Sequence, residues 1–227
     1  MKSSEFKSYK ARYRSAIRRL LSETEPGRLD EAGFPAYSHP NALINWLFWQ
    51  RLRTAMAHIE KNAPYEKILD FGCGSGVMLP FLAQHSQHVT AVDIDLLPLE
   101  RVRKHILLAA NVEVLDANYI PISTLAPASF DIINALDVLE HVDDLSRTLS
   151  ELIRLLKPGG QLIVSGPTES TPYQVGRRLA GPEYSGAYHE RGIAEIKGEL
   201  MQLAKIETIA SLYPPMPLFE IFTARTF

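Results

Sequence analysis

The stretch Ile68-Leu69-Asp70-Phe71-Gly72-Cys73-Gly74-Ser75-Gly76 leaves few folds open to this chain. An apolar run led by Lys67 and closed by a glycine-dense turn reads as a buried parallel strand, and Val77-Met78-Leu79-Pro80-Phe81-Leu82-Ala83 opens a helix behind it. Glycine admits positive φ and lets backbone N–H groups approach a ligand without a Cβ in the way. The acid that ends the strand offers a partner to a cationic ligand group, and the helix N-terminus offers one to an anionic group. A zwitterionic amino-acid moiety satisfies both. The dinucleotide fingerprint, Gly-x-Gly-x-x-Gly, is not met, because the third glycine comes one position early and Val77 holds the expected slot.

From Lys67 onward strands and helices alternate, as in a doubly wound parallel sheet. Val89 to Asp93 reads as a second strand, followed by Ile94-Asp95 and a helix from Leu97 to Ala109. Val112 to Asp116 reads as a third strand, Phe130 to Ala135 as a fourth, and Leu136 to Val142 as a turn with a short helix. A helix over Leu145 to Leu156 closes at Lys157-Pro158-Gly159-Gly160, where the lysine suits the helix C-terminus and the proline stops it. Gln161 to Gly166 is then a fifth strand and Ile193 to Leu203 a last helix. Lys205 to Tyr213 and Leu218 to Phe227 form an antiparallel pair. The long segment Pro167 to Gly186, rich in Pro, Gly, Ser and Tyr, is a candidate substrate loop.

Asp70, Asp93 and Asp116 close three consecutive strands, and ligands of open α/β sheets lie at those carboxyl ends. An acid after the second strand suits the paired hydroxyls of a ribose, because a carboxylate accepts both O–H bonds.

Ahead of this unit, Glu5 to Leu21 places Phe6, Tyr9, Tyr13, Ala16, Ile17 and Leu20 at helical spacing, with Lys7, Lys10, Arg14 and Arg18 on other faces. This basic amphipathic helix packs on the domain, covers the acceptor as a lid, or makes peripheral contact with an anionic membrane surface. A proline-containing connector follows. Asn41 then caps a helix bearing Trp46, Trp49, Leu52, Met56 and Ile59. The expected division is residues 1–62 as an N-terminal helical extension and 63–227 as the ligand-binding domain. The extension is expected to govern the acceptor more than the cofactor.

Of the 227 residues, 24 are Lys or Arg and 26 are Asp or Glu, so no global basic field points to nucleic acid. A single cysteine, Cys73, excludes an intramolecular disulfide and reads as a small packing residue. The basic first residues lack the apolar core of a secretory signal, and no apolar run suffices to span a bilayer. The expected location is cytoplasmic.

With these segments in place, the chain resembles the class I S-adenosylmethionine-dependent methyltransferases, in particular the small-molecule group. The resemblance rests on Leu69 to Gly76, Val92-Asp93, Phe130-Asp131, Leu139-Glu140-His141-Val142 and Leu156 to Gly160, in that order. It implies a Rossmann-like α/β fold: a seven-stranded doubly wound sheet ending in an antiparallel strand pair, with the helical extension in front. It implies S-adenosyl-L-methionine as cofactor, with Gly72, Cys73, Gly74 and Gly76 at its methionine part and Asp70 orienting the amino group. Asp93 with Ile94 would meet the ribose, Asp116 with Ala117 the adenine, and the Leu136 carbonyl the sulfonium or amino group.

The implied reaction is methyl transfer to oxygen, carbon or nitrogen of a small-molecule acceptor, lipid and saccharide intermediates included. It needs positioning rather than a metal or a nucleophilic residue. Asn134-Ala135-Leu136-Asp137 departs from the Asn-Pro-Pro-aromatic turn of the enzymes that methylate adenine and glutamine amino groups, which disfavours those substrates. For removal of the acceptor's proton the candidates are His141 and His189, the latter within Tyr188-His189-Glu190-Arg191. The competing readings are a nicotinamide-dependent oxidoreductase and a non-catalytic cofactor-binding protein.

Overall fold

The computed structural model describes residues 2–22, 37, 41–168, 170, 191–213, 215 and 217–226. Their elements run α1 (Ser3–Ser22), α2 (Ala42–Glu60), β1 (Tyr65–Phe71), α3 (Leu79–His85), β2 (Ser86–Asp93), α4 (Leu97–Val102) and β3 (Val112–Asp116). They continue with β4 (Phe130–Leu136), α5 (Leu145–Leu155), β5 (Leu156–Pro167), α6 (Ile193–Leu200), β6 (Lys205–Leu212) and β7 (Phe219–Arg225). Single 3-10 turns occupy Ile122–Thr124 and Leu139–His141.

The seven strands make one sheet in the order β3-β2-β1-β4-β5-β7-β6. The first five are parallel, and β7 runs antiparallel between β5 and β6. Strand side chains alternate between faces, and here both faces are apolar. Ile68, Ile132 and Ile163 join α1 to α4 on one side, whereas Leu69, Ile133, Leu162 and Val164 join α5 and α6 on the other. The apolar stripe of α1 is spent in this core: Phe6, Tyr9, Tyr13, Ala16, Ile17 and Leu20 are all buried. Asn41 caps α2 by accepting from the N–H groups of Leu43 (2.9 Å) and Ile44 (3.3 Å).

Three of the boundaries that differ from the sequence expectation do so for a physical reason visible in the fold. The helix expected to reach Ala109 stops at Val102. Beyond it the Lys104 and His105 N–H groups bond three residues back, and Asn111 ties to the carbonyls of Ala83 and Ser86, which turns the chain into β3. Similar short-range bonds from Gln202 and Leu203 end α6 at Leu200. Finally, β5 begins at Leu156, not Gln161, because Leu156 pairs with Phe130 across a register shift. Gly160 suits that position, since a Cβ would stand 3.0 Å from the carbonyl oxygens of Lys157 and Phe130, a tight contact that the backbone would have to relieve. Lys157 accordingly serves the base of the sheet, bonding Glu66 (2.6 Å) and Asp131 (3.0 Å) rather than the end of α5.

Candidate active site

The glycine turn after β1 is held by the end of β2. The N–H groups of Gly72 and Cys73 both donate to the Val92 carbonyl (2.8 and 3.1 Å), that of Gly74 to Asp93 Oδ2 (2.7 Å), and that of Gly76 to the Cys73 carbonyl (2.8 Å). Gly72 has φ +73°, and a Cβ there would come within 2.3 Å of Val138 Cγ2. Because these four amides are engaged within the protein, the turn offers them to no pyrophosphate. Burial and the neighbouring Asp70 and Asp93 push the Cys73 thiol far up, so it stays protonated and packs.

Register brings the three strand-end acids to one edge of the sheet, with Asp70 beside Ala91 and Asp93 beside Asp116. Besides Gly74, Asp93 accepts from the Asp95 N–H through Oδ1 (3.1 Å), and the Ala117 N–H donates to the Asp93 carbonyl (2.9 Å). Asp116 Oδ1 accepts from the backbone and side-chain nitrogens of Asn118 (2.9 and 2.8 Å), and Asn118 Nδ2 also reaches the Ile94 carbonyl (2.7 Å). The Ile94 side chain itself is 72% exposed.

Asp70 is 3% exposed. Its Oδ1 accepts from Asn134 Nδ2 at 2.6 Å, while Asp70 Oδ2 and Asn134 Oδ1 are buried with no partner. Burial pushes its carboxyl up to about 7; the Asn134 bond opposes that shift and the Asp93 charge adds to it. Two orphaned acceptor oxygens at adjacent strand ends fit an ammonium group with several donors, which is what the amino-acid end of S-adenosylmethionine carries. Asn134 escaped the sequence reading, which used it only to exclude an amide-binding turn.

On the other side of Leu136, Asp137 takes φ +54°. Its N–H donates to the Ser165 carbonyl (3.0 Å), Oδ1 accepts from Ser165 Oγ (3.1 Å), and Oδ2 pairs with Arg51 Nη1 at 2.5 Å. Arg51, buried in α2, lies between the rings of Phe48 and Phe219, 4.6 and 4.3 Å from their centroids. His141 is exposed on the 3-10 turn after β4. Arg191 is spent on the loop after that turn, donating to the carbonyls of Val142 (2.6 Å) and Asp143 (3.2 Å). His189 and nearly all of the candidate substrate loop lie outside the described residues.

α1 of the extension reaches the glycine turn. The Tyr9 hydroxyl donates to the Val77 carbonyl, and that of Tyr13 donates to the Ser75 carbonyl (2.8 Å) and lies 2.6 Å from Ser75 Oγ. Tyr13 also packs edge-on against Trp49 and Tyr37. The expectation that the extension governs the acceptor more than the cofactor did not include this contact, through which α1 props the glycine turn. The available signal was a pair of tyrosines on a buried helical stripe, since a buried phenol needs a hydrogen-bond partner.

A sheet of this order, with a glycine turn after β1, acids closing β1, β2 and β3 and antiparallel strands at the end, has the α/β Rossmann-like methyltransferase fold. Residues 69–164 match the family model described as "Methyltransferase domain". The ubiquinone biosynthesis O-methyltransferase of Saccharophagus degradans is 35% identical over 101 residues, 44% of this chain and 43% of that one. The protein of the same name from Pseudomonas fluorescens strain Pf0-1 is 32% identical over 137 residues, 60% of this chain and 59% of that one. The matches thus span roughly two-fifths to three-fifths of these curated relatives.

Among solved structures, the N-methyltransferase NodS of Bradyrhizobium japonicum WM9 in complex with S-adenosyl-L-homocysteine superposes with a TM-score of 0.60 at 17% identity, over 94% of this chain and 98% of that one. The [4+2]-cyclase SpnF does so at 0.58 and 16%, over 78% and 80%. These likenesses show the fold, which by itself does not dictate the reaction.

Proposed function

We propose that this chain transfers a methyl group from S-adenosylmethionine to a hydroxyl oxygen of a small molecule. The observation that carries the cofactor half is the buried Asp70–Asn134 pair with its two unpartnered oxygens. When bound, S-adenosylmethionine supplies an electrophilic methyl on a sulfonium. Asp70 and Asn134 hold the amino group, Asp93 accepts from the ribose hydroxyls with lone pairs left over from Gly74 and Asp95, and Asp116 with Ala117 lies at the adenine edge. Asp137, its carboxylate 20% exposed and braced by Arg51 and Ser165, is the group we assign to accept a hydrogen bond from the acceptor hydroxyl. His141, exposed beyond it, is the described histidine suited to take the proton, and His189 remains a proposed participant. Oxygen as the methylated atom is supported by the names of the relatives.

The test is calorimetric titration with S-adenosylmethionine, S-adenosylhomocysteine and NAD, followed by incubation with a cell extract and methyl-deuterated S-adenosylmethionine. Binding of the first two but not NAD, and a metabolite gaining one labelled methyl on oxygen, is the expected outcome. Failure to bind either sulfur compound would overturn the cofactor assignment, and binding without any labelled product would favour a non-catalytic role.

A further inference from the structure

Positive charge is concentrated on one flank of a chain whose formal charge is −2. Residues 2–22 and 97–105 together contain ten Lys or Arg and two acids, Glu5 and Glu100, so the remainder carries −10. The two segments adjoin in the fold, since α1 lies against α4. Among the described residues no ion pair engages Lys7, Lys10, Arg12, Arg14, Arg18 or Arg19 of α1, nor Arg101, Arg103 or Lys104 of α4 and the turn after it. Like charges crowd instead: with partial burial as the larger cause, Arg18 depresses the Arg14 guanidinium and Arg14 depresses Lys10, which falls to about 8. Lys7, Arg14 and Arg18 recur at i, i+7 and i+11 and so share one side of the helix. Arg14, Arg18 and Arg19 line a groove of ≈ 390 Å³ with the small residues Ala11, Ser15 and Ser22 between them.

We propose that this flank docks the protein on an anionic phospholipid surface, with lipid phosphates seated among the α1 arginines. A helix of twenty residues spans about 30 Å and offers its charges to a plane. The aromatic residues of α1, Phe6, Tyr9 and Tyr13, are all turned into the core, so among its described residues α1 presents no ring on which a nucleic-acid base would stack. For the same reason the contact is electrostatic, without insertion: the apolar side of α1 is occupied, and no described helix is long and apolar enough to cross a membrane. The net negative remainder of the chain turns away from such a surface and orients the molecule on it.

The experiment is cosedimentation of the full chain with vesicles of equimolar phosphatidylglycerol and phosphatidylcholine, and with vesicles of phosphatidylcholine alone. The expected result is binding only to the anionic vesicles, reversed by high salt. The variant K7Q/R18Q/R19Q changes exposed side chains and should weaken partitioning at least about tenfold, with the melting temperature unchanged. The control K61Q/K67Q/K205Q removes the same charge from exposed positions elsewhere and should bind nearly as wild type. Equal loss in both triple variants would overturn the assignment to this flank, as would equal binding to both vesicle types. Retention by single-stranded polyuridylate without sedimentation on anionic vesicles would reassign the flank to RNA and overturn the proposal.

Discussion

Tyr13 on α1 and Ser75 in the glycine turn, 62 positions apart, meet through a buried pair of contacts at 2.8 and 2.6 Å. A turn with several positive-φ residues keeps its shape because something outside it holds it, and here a helix from the extension does so. Replacing Tyr13 with Phe keeps the ring packing against Trp49 and removes only the hydroxyl. Leaving the Ser75 groups unpaired costs about 1–3 kcal/mol. The expected reading is a lower melting temperature with S-adenosylhomocysteine affinity down several-fold by calorimetry; unaltered affinity would mean the prop is irrelevant to the cofactor.

Asp93→Ala is expected to lower cofactor affinity at least tenfold while the fold persists, since hydrogen bonds to charged groups contribute roughly 1.5–3 kcal/mol each. The variant also releases the Gly74 and Asp95 amides, so hydrogen exchange at those two positions should quicken. Wild-type affinity would remove Asp93 from the proposed ribose site.

Asp70 gives the unliganded protein a pH signature. Its carboxyl titrates near 7 in the fold against 3.8 for the ordinary side chain, so between those values the folded state keeps a proton that the unfolded state has released. The stability it contributes is complete below pH 3.8 and is lost as pH rises through 7. Asp70→Asn should abolish that decline, amounting to a few kcal/mol at most, and its cofactor affinity should fall. Parallel stability profiles of the two proteins from acid to neutral pH would contradict the assignment.

Arg51→Met retains a long apolar stem between Phe48 and Phe219 but leaves Asp137 without its cation. Because the Asp137 carboxylate is partly exposed, the cost is discounted from that of a sealed ion pair to about 2 kcal/mol. Turnover should drop by about tenfold or more, through misplacement of Asp137, with S-adenosylhomocysteine affinity changed by less than about threefold. A loss of cofactor affinity equal to the loss of turnover would assign Arg51 to the cofactor side.

The strand-end acids were legible because Asp70, Asp93 and Asp116 each close an apolar run, and such runs can be read locally. Burial of Tyr9 and Tyr13 was legible for the same reason, through helical periodicity. What their hydroxyls bind was not, because a period says which side of a helix is inside and never which loop lies opposite. The Arg51–Asp137 pair joins a helix to a strand end 86 positions away and leaves no mark in either segment's pattern. Lys157 was misread because a lysine beside a proline looks the same at a helix end as at a bulged strand start.

The antiparallel placement of β7 has a consequence for how the protein is made. Pro167 pairs with Phe219, so β7 starts at the crevice end of β5, and its first ring packs on Arg51. Tyr213, just ahead of it, donates to the Leu47 carbonyl of α2. On the ribosome, α2 is therefore translated long before the partners that cover it. Its buried arginine meets Asp137 once β4 has emerged but lacks the Phe219 ring until after β6 is made. The wall beside Asp137 closes only when the last strand slides between two others already made, so a nascent chain stalled before Phe219 holds the glycine turn and its acids but lacks that wall.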